Sequence, residues 1–174
     1  MHYGYISNLL IGVVSGIVSS VLFFTLLRHL RPEILISPFI AKLQQDGHTY
    51  YDFKIINNSS RSAIDLRAHL VLTKPVNVEG GSVDNSIGIT LTKDSFFELG
   101  RLDPTDQNAH YAFRFTTVDD IESLWKDDLS HIRLRIMATD AESGFSRAFM
   151  HDFHTKRNSI KNGQHEFGTS LNVS

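Results

Sequence analysis

Residues 64–73 read IDLRAHLVLT, in which Ile64, Leu66, Ala68, Leu70 and Leu72 alternate with Asp65, Arg67, His69, Val71 and Thr73. Successive side chains of a strand point to opposite faces, so a period of two marks a strand buried on one side. Upstream, Ile34, Ile36 and residues 39–43 start extended structure, and Asp46-Gly47 reads as a hairpin turn into a return strand over 49–56, with Tyr51, Phe53 and Ile55 on one face. Residues 57–62 form a polar break, and 77–86, with Gly80-Gly81 and Asp84-Asn85, read as a surface loop. Short strands follow over 87–92 and 96–102, then a turn at 103–106 and a third alternation at Tyr111, Phe113 and Phe115.

Thr117 ahead of Asp119 and Asp120 resembles a helix N-cap with acid in the first turn, and Ile121, Leu124 and Trp125 supply an apolar stripe, so one short helix is predicted over 118–127. Ile132, Leu134, Ile136 and Ala138 make a further strand. Residues 140–144 turn, and Phe145, Ala148 or Phe149, and Phe153 make the last strand before a polar tail from Lys156. About eight turn-separated strands with one short helix indicate a mainly β protein, an antiparallel sandwich or barrel; the strand count is common to both.

One stretch has a different pattern. Residues 9–27, LLIGVVSGIVSSVLFFTLL, carry no charge. As a helix they rise about 28 Å, enough to cross the hydrocarbon of a bilayer with every backbone donor satisfied internally. A cleaved signal peptide fits less well, because residues 1–8 hold no Lys or Arg and the run ends in Phe-Phe-Thr-Leu-Leu. Arg28 and Arg31 follow the run directly and nothing basic precedes it, so the positive-inside rule expects the N-terminus outside and the remainder in the cytoplasm. Pro32 biases Arg31 away from helix and ends the segment. The expected organisation is a transmembrane helix and basic linker over 1–31, a cytoplasmic β domain over 32–168 and a tail over 169–174.

Gly12, Gly16 and Ser20 recur at intervals of four, and Ser15 and Ser19 form a neighbouring row. Small residues on one face let membrane helices approach closely, so these five are candidates for helix packing or for lining a pore. Net charge is −2, which supplies no global basic field for nucleic acid. The chain has no cysteine, which excludes disulfides and a thiolate nucleophile. No Gly-rich phosphate loop, GxSxG elbow or HExxH motif is present, and neither catalysis nor a cofactor is expected. His151 and His154, three apart on a strand, point to opposite faces and do not converge on a metal. Two basic groups remain as candidate anion contacts: Arg28 with Arg31, and Lys156 with Arg157 and Lys161.

The order of these features resembles the cytoplasmic half of inward-rectifier potassium channels, especially bacterial ones. The matching residues are Arg28-His-Leu-Arg31-Pro32 with Ile36-Ser-Pro-Phe-Ile40, Tyr50-Tyr-Asp-Phe-Lys-Ile-Ile-Asn57, Ile64 to Leu72, Ile89-Thr-Leu-Thr92, Phe149-Met-His-Asp-Phe153 and Gly163-Gln-His-Glu-Phe167. The resemblance implies an immunoglobulin-like β-sandwich and a homotetramer whose cytoplasmic ring lies beneath bundled helices. It also implies a basic linker, here Arg28 and Arg31, that meets anionic lipid. The chain departs from that family in having one membrane helix and no selectivity filter, so potassium selectivity of the usual kind is not inherited.

A gating ring on a single helix is also similar to bacterial anti-phage membrane effectors of the Hailong type. That likeness implies a bacterial inner-membrane pore controlled by a nucleotide or oligonucleotide ligand, and a protein encoded nearby as a further partner. The competing expectation is a non-conducting, membrane-anchored β-sandwich that binds or scaffolds a partner.

Overall fold

The structure, a computed structural model, describes residues 2–174 and divides after Arg31 into two units. The first is α1, His2–His29. Within it Leu10–Leu27 is long and apolar enough to cross a membrane, and none of that span is buried. From Leu10 to Leu26 every large aliphatic or aromatic side chain is more than half exposed. Apolar residues occupy all sides of this helix, so no polar stripe marks a face for water.

The second unit, Pro32–Ser174, is a mainly β sandwich. One sheet joins β1 (Ile34–Gln45), β2 (His48–Asn57), β6 (Ala112–Thr117) and β9 (Ile160–Asn162) in the order β6-β2-β1-β9. The other joins β3 (Ala63–Val78), β4 (Gly81–Ile89), β7 (His131–Asp140) and β8 (Ser146–Phe153) in the order β4-β3-β7-β8, with β5 (Ser95–Leu99) also paired to β3. All pairings are antiparallel except that of β1 with β9. Two separate sheets with open edges resolve the sandwich from the barrel.

Alternation does what the sequence indicated. Tyr51, Phe53 and Ile55 of β2 and Phe115 of β6 meet Leu66 and Leu70 of β3 and Leu134 and Ile136 of β7 in one buried cluster. The rings of Phe53 and Phe153 bridge the sheets edge to face at 5.6 Å. Each fully buried side chain of this size stabilises the fold by about 1.5–3 kcal/mol relative to exposure. The β3 pattern is interrupted by a bulge at Asp65, whose φ of 49° shifts the buried position from Ile64 to Ala63.

Other expectations are corrected. Residues 77–86 are not a loop: β3 and β4 run on as a two-stranded ribbon, paired as far as Val78 with Gly81 and turned at Glu79-Gly80, where Gly80 takes φ 91°. The predicted helix over 118–127 shrinks to α2, Ile121–Leu124. Its N-cap is Asp120, which accepts from the Ser123 amide, while Thr117 closes β6 and donates to the Thr90 carbonyl. Trp125 then turns inward, and its Nε1 donates to the Ser130 carbonyl at 2.8 Å, which ends the helix.

The polar stretch from Lys156 forms α3, Lys156–Ser159, and β9, giving nine strands and two short helices in this unit. Residues 169–174 are hydrogen-bonded into the unit as well, through Gln164 with Ser174 and Glu166 with Asn172.

Candidate functional site

The candidate site residues fall on two separate parts of the chain. On α1, a turn of about 100° per residue gathers Gly12, Ser15, Gly16, Ser19 and Ser20 into an arc of about 140°. Apart from the helix's own backbone and the flanking residues, no described atom lies within 4 Å of where a Cβ on Gly12 or Gly16 would stand. Ser20 donates its hydroxyl to the Gly16 carbonyl at 2.8 Å, satisfying it within the helix. Arg31 is exposed just beyond the helix, while the Arg28 side chain lies outside the described part of the structure.

On the sandwich, α3 and β9 run along the edge of β1 and bring Lys156 and Arg157 opposite the segment that follows α2. Between them lies a cleft of about 380 Å³, lined by Glu122, Trp125, Lys126, Asp127, Asp128, Lys156, Arg157, Ile160 and Asn162. This is at the small end of ligand-sized cavities. Alternation along β9 sends Lys161 the other way, its Nζ 5.6 Å from the centre of the Phe39 ring. The sequence group Lys156, Arg157 and Lys161 is therefore divided, and Lys126 joins it instead. Sequence reading did not single out Lys126, which is distant from Lys156 in the chain and meets it at the cleft only through the fold.

Charges in the cleft are unequally matched. Glu122 is in an ion pair with Lys42 and accepts from the Tyr51 hydroxyl at 3.1 Å. Burial, reinforced by Glu122, raises the Tyr51 phenol above its ordinary range. Asp127 accepts from Lys74 Nζ and from the amide and hydroxyl of Ser130, each at 2.8 Å. The Lys74 hydrogen bond and then Ser130 hold its carboxyl down at about 2. Lys156 Nζ donates to the Glu122 backbone carbonyl at 2.7 Å. Lys126 and Arg157 are exposed and, among the described residues, make no ion pair or side-chain hydrogen bond.

Two further clefts, about 380 and 390 Å³, flank residues 108–112. Their basic groups already have acceptors. Arg114 Nη2 donates to the His165 carbonyl, and His110 Nδ1 pairs with Asp106. Lys54, only 2% exposed, donates from Nζ to the carbonyls of Glu166, Gly168 and Ser170 at 2.6, 2.7 and 2.7 Å. Burial, with the nearby Arg114 charge, brings its ammonium down to about 8, Glu166 opposing. Among the described residues no group of three or more His, Cys, Asp or Glu is placed to hold a metal. His151 packs against the Phe153 ring at 4.6 Å, and His154 lies 5.7 Å from the His131 ring. Compared with known proteins, the sequence matches no family model and no curated protein.

Proposed function

We propose that the chain is a single-pass membrane protein that self-associates through α1 into a homotetrameric pore, with the β-sandwich controlling that pore from the cytoplasmic side. The carrying observation is the uncharged span Leu10–Leu27 with small residues gathered on one arc. Lipid gives apolar side chains no reason to seek each other, so close backbone approach along such an arc is the available source of helix association. Arg28 and Arg31 support a cytoplasmic sandwich by the positive-inside rule and, in this reading, contact anionic headgroups. The resemblance to inward-rectifier cytoplasmic domains and to anti-phage effectors supports a ligand-controlled pore that disrupts the inner membrane. The ligand in this reading is a nucleotide, an oligonucleotide or an anionic lipid, and the chain has no enzymatic role.

The bond from Ser20 to the Gly16 carbonyl favours a second reading, a non-conducting anchor for a partner-binding sandwich, because a hydroxyl satisfied by its own helix has no need of a water-filled lumen. Expression in bacteria with a potential-sensitive dye separates the two. Ser15→Leu and Ser19→Leu are expected to abolish depolarisation while the protein still inserts. A wild-type protein that leaves the membrane potential unchanged decides for the anchor.

A further inference from the structure

We infer that the cleft between α3 and the segment after α2 binds a phosphoryl-bearing anion, with Lys126 and Arg157 as its principal contacts. This names the ligand class of the controlled sandwich proposed above and rests on that reading for its purpose, though not for its binding. The inference follows from an account of charge. Of the carboxylates at the cleft, Glu122 is committed to Lys42 and Tyr51, and Asp127 to Lys74 and Ser130. Only Asp128 is left among the described residues to oppose Lys126, Arg157 and Lys156.

A monoanion would leave this excess incompletely neutralised, whereas a phosphate ester or diphosphate carries two or more charges and several acceptor oxygens in a compact group. The guanidinium fork of Arg157 suits two such oxygens at once, and Lys126 supplies a point charge opposite it. Lys156 has one donor engaged with the Glu122 carbonyl, which fixes its ammonium at the cleft wall with other donors to spare. A volume of about 380 Å³ exceeds what a lone phosphate fills, so the group it takes belongs to a larger molecule.

The chain's single tryptophan, Trp125, lines the cleft and reports on it. Full-length protein in detergent micelles, titrated with inorganic pyrophosphate at constant ionic strength, is expected to give a saturable change in Trp emission and a matching heat by calorimetry. Lys126→Gln and Arg157→Gln are each expected to weaken binding by about tenfold or more, as lost charge-assisted hydrogen bonds do. Lys161→Gln, a change on the far side of β9, leaves it unaltered. Both cleft substitutions are at exposed side chains, and an unchanged thermal midpoint confirms that the fold is kept.

Neither heat nor emission change in the wild type, or equal weakening by Lys161→Gln, overturns the site without touching the stoichiometry of the pore. Lipid and soluble sources are separated in nanodiscs. If phosphatidylglycerol, compared with phosphatidylcholine alone, competes with pyrophosphate and Arg157→Gln removes the competition, the site takes a headgroup; equal affinity in both bilayers assigns it to a soluble phosphoryl compound.

Discussion

Lys54 lies in the middle of β2 between Phe53 and Ile55, where alternation turns it to the outer face of its sheet, and there the C-terminal segment closes over it. An ammonium removed from water is tolerated because three carbonyls replace its hydration, and those carbonyls in turn have no other donor of comparable strength. Lys54→Met is therefore expected to destabilise the sandwich by about 2 kcal/mol, the cost of leaving partly buried acceptors unmade, measured as a lowered urea midpoint.

Lys54 also sets a pH dependence. Its folded value of about 8 lies below the ordinary 10.5, so between these values the unfolded chain holds more protons than the folded one. Stability from this group accordingly rises as pH increases from about 8 toward 10. The gap between wild type and Lys54→Met is expected to widen across that interval, and a gap that stays constant or narrows shows that the ammonium is not desolvated in the fold.

At the scale of elements, the strands best read from sequence were those with one face in the core, because burial on one side writes a period of two into the residues. β7 is such a strand, with Ile132, Leu134, Ile136 and Ala138 buried in turn. The ribbon formed by the ends of β3 and β4 has no such contrast. Gly81 to Gly88 are exposed on both faces, so Asp84, Asn85 and two glycines resembled a loop although the backbone ladder continues.

The C-terminal segment was illegible for another reason. Its order depends on Lys54, 112 to 116 residues away in sequence, and no local pattern records so distant a donor. The proposed anion cleft was half legible: Lys156 and Arg157 stood out as adjacent charges, whereas Lys126 is brought to them only by the tertiary fold.

The ribbon reading has its own test. Gly80 takes φ 91° and an added Cβ there meets nothing within 4 Å, so Gly80→Ala acts through the backbone. It is expected to weaken the ribbon by about 1–2 kcal/mol. Amide exchange over residues 82–86 should accelerate, while that of Leu70 and Leu72, in the core part of β3, stays as it was. Faster exchange throughout the sandwich would mean that the ribbon is part of the cooperative core.

For the whole molecule, the two units treat their apolar residues differently: the sandwich buries them, whereas the span Leu10–Leu27 of α1 leaves them exposed. The sandwich is held by burial of Phe53, Phe115, Leu134 and their neighbours away from water, a force that is absent between apolar helices in lipid. α1 has no buried residue in its span and an apolar surface on all sides, so under the proposed self-association a preferred partner orientation comes from shape, and the small-residue arc offers a shallow face that includes Gly12 and Gly16. Filling that face by Gly12→Leu with Gly16→Leu keeps the segment apolar and able to insert but holds neighbouring backbones apart. Light scattering in detergent is expected, on the proposed reading, to give a tetramer for the wild type and a monomer for the double variant. The Trp125 emission and urea midpoint of the sandwich are expected to be unchanged. If the variant remains tetrameric, assembly originates in the β unit and α1 is an anchor; if the wild type itself is monomeric, no pore forms from this helix.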